Sequence, residues 1–504
     1  MKYLKRSYYL LLFFVLFLLS TCKKEHLSNN HSDSKLLYAK KGEKPGIFDQ
    51  QGRFVILRGA NYNVLGDYWQ ANPDVATVKK YDEDDFRNMA SYGFNCIRLV
   101  FSWSKLEPIK GIYNQEYIAQ IKKAVEDAAK YNLYVLLDMH QDAYSKFIFT
   151  KTDETCEFPL KGWDGAPEWS VITDNEPTCM GSEGGVGGRE TSRAVVHAFH
   201  HFWNNTNGIQ DACINAWTYL VKEVANYENI VGYDMINEPS LGYEDLIEQS
   251  KKLGEFYNNL GKAIRTAERN NHLLEHTLFF EISVSWNGDP IPFIPPFNFT
   301  EEKNICFSPH SYFEAISYAL TVEVGYELLN SLSKQYQTGL FMGEYGFFEP
   351  EETGVPKLIR FAKKEDAHFS SSTIWSWAQA PGDPHVIDYT GKVYPETDYI
   401  ITEVDKNGQF TGKLNTAFLN ILSRTRPNAI AGYPTFLESN PLTGKMTLKA
   451  DNKGKGITIL WIPDRFGTPM INGKNVKSNQ LNKVNGGYIA EVSVENNYEI
   501  NVDF

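Results

Sequence analysis

Positive charge is in short supply in this 504-residue chain: 50 Lys and Arg stand against 62 Asp and Glu, a net charge of −12. That balance argues against a nucleic-acid partner, since a nucleic-acid binder shows a basic surface. Long apolar runs are lacking as well. The N-terminal run Tyr8–Leu19 holds about a dozen residues, short of the roughly 20 that a membrane span needs, and a multi-spanning membrane protein is excluded. Cysteine is sparse, six in all, and no CxxC or Cys/His spacing suggests structural zinc. The one glycine run, Gly181–Gly188, lacks a following GKS/T and does not follow a strand, so it is no phosphate loop. With 42% hydrophobic and 22% charged residues, global disorder and collagen are excluded too. Aromatics are what the chain has in excess: 10 Trp, 29 Tyr and 31 Phe, or 14%. Aromatic faces stack on sugars and line apolar grooves, but Phe and Tyr also fill cores.

Residues 1–21 read as an export signal of the lipoprotein type. Lys2, Lys5 and Arg6 precede the apolar run, and Leu19-Ser20-Thr21-Cys22 resembles a bacterial lipobox in which Cys22 is lipidated. The expected location is an exported lipoprotein anchored at the outer membrane or cell surface, or a secreted protein if the signal is a plain one. Residues 22–46, polar and without periodicity, read as a flexible tether. Cys156 and Cys179 flank a long Gly-rich loop, and a disulfide closing it suits an exported protein, with Cys213 as a competing partner for either. Cys96 and Cys306 lie in apolar runs and read as buried thiols.

From residue 47 onward, short apolar runs alternate with amphipathic stretches. The runs are Val55–Tyr62, Cys96–Trp103, Tyr134–His140, Ile230–Asn237, Leu278–Ile282, Ile305–Tyr312, Leu340–Tyr345 and Thr373–Trp377. Helical spacing is expected over Asp82–Tyr92, closed by Gly93, and over Gln115–Tyr131, Asn215–Tyr227, Tyr243–Asn270 and Phe410–Arg424. Eight such alternations predict an α/β fold, a (β/α)₈ TIM barrel over residues 47–427. The long segment 143–212 reads as a rim or lid over the barrel mouth. Residues 428–504, rich in short strands and Gly/Asn turns, read as a C-terminal β-sandwich domain.

In such a barrel, polar residues at the C-terminal ends of strands are candidates for a site. Glu238, in Asn237-Glu238-Pro239, ends the fourth run, and Glu344, in Gly343-Glu344-Tyr345-Gly346, ends the seventh. Facing each other across the rim, they suit a retaining glycosidase, which needs one protonated and one ionised carboxyl about 5–5.5 Å apart. Arg98 and Tyr312 are placed to keep Glu344 ionised, and Asn237 to hold a sugar 2-hydroxyl. His140 and His310 are placed to bind hydroxyls or orient the acid. Asn61, Asn63 and Asp142 complete the expected substrate contacts, with Trp375 or Trp377 as the floor under the ring. No metal and no cofactor is expected.

At these residues the sequence resembles glycoside hydrolase family 5, over roughly residues 47–427. It is more similar still to the endoglycoceramidases in three segments: Arg98-Leu99-Val100-Phe101-Ser102-Trp103, Leu137-Asp138-Met139-His140-Gln141-Asp142-Ala143-Tyr144-Ser145 and Trp163-Asp164-Gly165-Ala166-Pro167-Glu168-Trp169. The resemblance implies Glu238 as acid/base and Glu344 as nucleophile, with Asp142, Asn237, His310 and Tyr312 shaping the sugar site. It also implies hydrolysis of the β-bond between glycan and ceramide in a glycosphingolipid, with retention and without a metal; a monomer is expected. Gly59–Gly66 lacks the Lys that some endoglycoceramidases carry there, which leaves galactosylceramide-type lipids or another β-glycoside open. The alternatives are an endo-β-1,4-glucanase or mannanase and, from another class, a non-catalytic glycan-binding surface lipoprotein.

Overall fold

Eight short strands form a parallel sheet that closes on itself. In chain order they are β1 (Arg58–Leu65), β2 (Cys96–Ser102), β3 (Tyr134–His140), β4 (Ile230–Asp234), β5 (Thr277–Phe280), β6 (Ile305–Phe307), β7 (Phe341–Met342) and β8 (Ser371–Ile374). Each pairs with its sequence neighbour, β8 pairs back onto β1, and a parallel bridge Phe307↔Leu340 joins β6 to β7. These are the coordinates of a computed structural model, which describes residues 34–151, 154–181, 188–287, 293–393 and 401–504. The export signal, Cys22 and most of the glycine run lie outside the described residues.

The strands carry few charged side chains because both faces are buried, as parallel sheets require. The outer face packs on helices such as Gln115–Lys130 and Leu246–Asn270, whose buried residues fall at helical spacing. The helix Asp84–Ser91 ends as the sequence predicts: Gly93 follows it at φ +79°, a left-handed conformation that glycine adopts without strain. Gly93 also lies under the Trp461 ring of the second layer, so a Cβ there would stand 2.2 Å from the indole.

That second layer is a β-sandwich. Its four-stranded sheet contains Tyr433–Ser439, Met446–Asp451, Tyr498–Asp503 and Met470–Asn472. Its seven-stranded sheet contains Arg426–Ile430, Lys455–Pro463, Gly487–Glu495 and Val476–Val484, together with three strands from the other end of the chain: Leu37–Lys40, Gly46–Asp49 and Phe54–Val55. Leu448, Leu460, Val492 and Ile500 are wholly or almost wholly buried between the sheets.

Three expectations need correction. The tether read over 22–46 ends earlier, because Leu37–Lys40 pairs with Gly46–Asp49 and buries Leu37 and Ala39 against the closed bottom of the barrel. The Ala39 amide donates to Asn304 Oδ1 at 2.7 Å, so this backbone is satisfied by the barrel rather than by water. The first barrel strand begins at Arg58, and Val55 belongs to the sandwich sheet, where it pairs with Ala429 and Ile47. The helix expected over Phe410–Arg424 is a strand, Phe410–Leu414, followed by a shorter helix, Thr416–Leu422. Asn415 caps that helix, its side chain accepting from the Phe418 amide, which explains why helical geometry starts there.

Candidate active site

Register brings the rim residues together. Beyond β6 and β7, His310–Ser311 pairs in parallel with Glu344–Tyr345, setting His310 beside Glu344. Asn61 lies opposite Arg98, and Ser102 opposite His140. Glu238 sits four residues past the end of β4 at φ +39°, an unusual backbone for a residue with a Cβ. Hydrogen bonds hold it there from both sides: its amide donates to Glu281 Oε2 at 3.0 Å, and Gln141 Nε2 donates to the carbonyls of Asn237 and Glu238 at 2.7 and 2.9 Å.

The Glu238 and Glu344 carboxylates, with His310 between them, offer oxygen and nitrogen atoms that all lie within 4.8 Å of one another. Their surroundings differ. Arg98 Nη1 donates to Glu344 Oε1 and the Tyr312 hydroxyl to Glu344 Oε2, each at 2.7 Å. Burial would raise the pKa of Glu344, but the charges of His310 and Arg98 and the Tyr312 hydrogen bond outweigh it and hold the carboxyl below its usual value. Glu238 meets His310 Nδ1 at 3.0 Å and Arg189 Nη2 at 3.2 Å.

Both carboxylates open into a cavity of about 620 Å³. His140, Asp142, Asn237, Tyr312 and Trp375 share its lining, as do the apolar side chains of Phe158, Met180, Ile316 and Phe348. Residues 49–381 match a family described as cellulase, glycosyl hydrolase family 5.

The chain belongs to glycosyl hydrolase family 5.

It is therefore a glycoside hydrolase on a family 5 barrel. Among solved structures it resembles an endogalactoceramidase, with 32% identity, 92% of this chain and 99% of that one covered, and a TM-score of 0.83. Among curated proteins it is similar to an endoglycoceramidase of Cyanea nozakii, 25% identical over 466 residues, with 87% of this chain and 86% of that protein covered. It also shares its fold, at 20% identity and a TM-score of 0.70, with endo-glycoceramidase II from Rhodococcus sp..

In this family 5 enzyme Arg98 is wholly buried and touches no substrate space of its own. Besides Glu344 it meets Asp234, Asp138 and Glu281 at 2.8, 3.0 and 3.2 Å, and it donates to Asn61 Oδ1 and Asn237 Oδ1 at 3.0 and 2.9 Å. One cation thus ties together residues from β1, β2, β3, β4, β5 and β7 or just beyond them. Burial, reinforced by Asp234 and opposed by His310 and Arg98, pushes Glu281 up to about 8. His310 is wholly buried beside Glu281, Glu344 and Glu238; burial opposes its charge, but those carboxylates prevail and push its pKa up. His140 is fixed by Asp138 at 2.7 Å and stacks on Trp375, ring centres 5.3 Å apart.

Asn61 reaches the barrel interior rather than the cavity, donating to the Gly343 carbonyl behind Glu344 at 3.0 Å. Asn61 is thus no cavity contact, and two more expected contacts need correction. Trp377 faces away from the cavity: it is wholly buried against Phe94, and its indole N–H donates to Asp85 at 2.9 Å. Both tryptophans lie past the end of β8 at Ile374, where the regular strand pattern, which would set residues two apart on one face, no longer holds. Asn63 is also set back, donating to Asp383 Oδ2 at 3.2 Å. Asp383 in turn holds His385 Nδ1 at 2.7 Å, and His385 Nε2 lies 3.1 Å from Asp142, which does line the cavity.

His385 and Arg189 are cavity residues that the sequence reading missed. Arg189 pairs with Asp142 at 2.7 Å and stacks over Trp163, 4.3 Å from its centre. Burial would raise Asp142, but Arg189, His140 and His385 hold it well below the usual carboxylate range. Asp164, buried nearby, is pushed up to about 7 by burial and the Asp142 charge, against His140 and His385. The long segment between β3 and β4 does supply the rim: Cys156 and Cys179 form a disulfide across it, while Cys213 stays a buried thiol.

Proposed function

We propose that this glycosidase is endoglycoceramidase-like and hydrolyses, with retention, the β-bond between a glycan and ceramide. The observation that carries the reading is the pair Glu238 and Glu344: an oxygen of each lies no more than 4.8 Å from the other, close enough to work as a retaining pair, and Glu344 is braced by Arg98 and Tyr312. Glu344 attacks the anomeric carbon as Glu238 passes its proton to the departing ceramide oxygen, so the C–O bond breaks as the glycosyl–enzyme ester forms. Glu238, now ionised, takes a proton from water, whose oxygen attacks the same carbon and releases Glu344. Asn237 is aimed by Arg98 at its Oδ1, and its Nδ2 donates to the Gln141 carbonyl at 3.0 Å. Trp375, backed by His140, gives the sugar ring a flat face. Phe158, Met180, Ile316 and Phe348 give the same cavity an apolar wall suited to a lipid aglycone. The names of the relatives support a glycosphingolipid substrate, and the 32% identity to an endogalactoceramidase supports including galactose-linked ceramides.

Mass spectrometry of products from a mixed extract of glucosyl- and galactosyl-linked glycosphingolipids tests the reading. Intact oligosaccharide plus ceramide is expected; free monosaccharide with a shortened glycolipid overturns it. Glu344→Gln is expected to lower turnover by roughly 10⁴-fold or more with an unchanged circular dichroism spectrum.

We also propose that Cys22 is lipidated after removal of residues 1–21, which places the enzyme at a membrane surface. The observation is the Leu19-Ser20-Thr21-Cys22 segment behind a basic and apolar leader. Labelled fatty acid is expected on the wild type and not on Cys22→Ser; an unlabelled wild type points instead to a plain secretory signal.

A further inference from the structure

Outside the catalytic cavity, the rim segment meets the helix Arg193–Trp203 at a second cluster of ligating side chains. One face of that helix is core, with Ala194, Val195, Ala198, Phe199 and Phe202 buried. The opposite face presents His197 and His201, four residues apart and so on one side of the helix. Both rings turn to the same acid: His197 Nδ1 and His201 Nε2 each lie 2.8 Å from Asp174 Oδ2. Asp174 reaches them from a tight turn in which it and Asn175 take positive φ, +52° and +62°. The remaining nitrogen of His201 is engaged as well, 3.0 Å from the Thr206 hydroxyl. None of these residues lines the catalytic cavity.

We propose that Asp174, His197 and His201 form a binding site for a divalent transition-metal ion of the zinc type, with water completing its coordination. Two histidines at this helical spacing plus one carboxylate are a donor set that zinc takes. Tetrahedral ligands about 2.1 Å from zinc stand roughly 3.4 Å apart, so each N···O pair here opens by only about half an ångström to admit the ion. Thr206 supplies the outer hydrogen bond that fixes the ring of a metal-bound histidine. Asp174 lies inside the loop closed by Cys156 and Cys179, and Phe158, Lys161 and Trp163 of that loop line the catalytic cavity. A bound ion therefore braces one cavity wall against the barrel from outside. The site stands independently of which glycolipid the enzyme cleaves.

The test is a Co²⁺ titration of the full chain after stripping with a chelator, read by visible d–d absorption. One Co²⁺ per chain is expected, displaced by Zn²⁺. The signal is expected to disappear in the double variant His197→Ala/His201→Ala and to persist in Glu344→Gln, which alters the buried Glu238, His310, Glu344 cluster instead. Zn²⁺ is expected to raise the Tm of the wild type and not that of the double variant, whose circular dichroism spectrum checks its fold. No Co²⁺ absorption in the wild type, or the same absorption in the folded double variant, overturns the proposal and leaves the cluster as a hydrogen-bonded brace.

Discussion

At the scale of single residues, the two carboxylates of this family 5 enzyme differ because of what donates to them. Glu344 accepts from a guanidinium and a phenol, both 2.7 Å away, while Glu238 faces a histidine and the more exposed Arg189. A hydrogen bond to a charged group is worth about 1.5–3 kcal/mol, so Tyr312→Phe removes that much preference for ionised Glu344. Loss of a donor that favours the charged form raises the pKa. The acid limb of the kcat/KM profile is therefore expected to move to higher pH by about one unit or more, with kcat falling ~10- to 100-fold. An unshifted acid limb in the folded variant would remove Tyr312 from this role. The motifs around Glu238 and Glu344 were legible because each joins a polar residue to the end of an apolar run. Asp138, Asp234 and Glu281 were not read as partners, although acids inside strand-like runs demand a buried cation. Arg98 meets that demand and orients Glu344 as well. Arg189 and His385 carried no local signal, since they lie in long connections whose path no periodicity describes.

At the scale of elements, alternation and helical spacing located the barrel strands to within a few residues, and the misreadings have identifiable causes. Phe410–Leu414 is a strand because it pairs with Thr402–Val404, a contact invisible to helical spacing, and Asn415 then starts a new helix. Val55 looked like barrel strand because an apolar β-former suits either sheet equally well. The helix Glu351–Ala367 shows what propensity cannot supply. Its buried Glu365 and Asp366 meet Arg424 at 2.8 and 2.7 Å, with Arg58 at 3.6 and 3.9 Å. Removing one partner of such a buried network leaves charge uncompensated. Arg424→Ala is expected to cost about 3–5 kcal/mol in urea unfolding, whereas a surface pair such as Arg87–Asp84 contributes at most about 1 kcal/mol. A cost under ~1 kcal/mol for Arg424→Ala would mean that Arg58 alone satisfies both acids.

At the scale of the whole molecule, barrel and sandwich are not a bead and an appendage. The N-terminal hairpin closes the barrel bottom with Leu37 and Ala39 and adds strands to a sheet otherwise built from the C-terminal end. Trp461 covers Gly93, and Arg426 donates to the Gly93 carbonyl. The catalytic mouth lies at the opposite end of the strands, where residues of the rim segment, Arg189 among them, enclose the cavity. Catalytic geometry and structural closure therefore occupy opposite ends of one barrel, as this fold generally arranges them. This division accounts for part of the aromatic excess: Trp375 lines the cavity, whereas Trp377, Trp217 and Trp461 are core.

By itself the sequence determined the fold class and pointed to two carboxylates at strand ends, because period, strand length and motif are properties of local chain. Its net acidity argues against a nucleic-acid partner, because charge is a sum over composition. Only the tertiary structure decided which tryptophan faces the cavity, which acids Arg98 gathers, and that Arg189 and His385 line the same space. Those facts depend on strand register and on the closure of distant segments, and pairing between residues a hundred or more positions apart leaves no local trace.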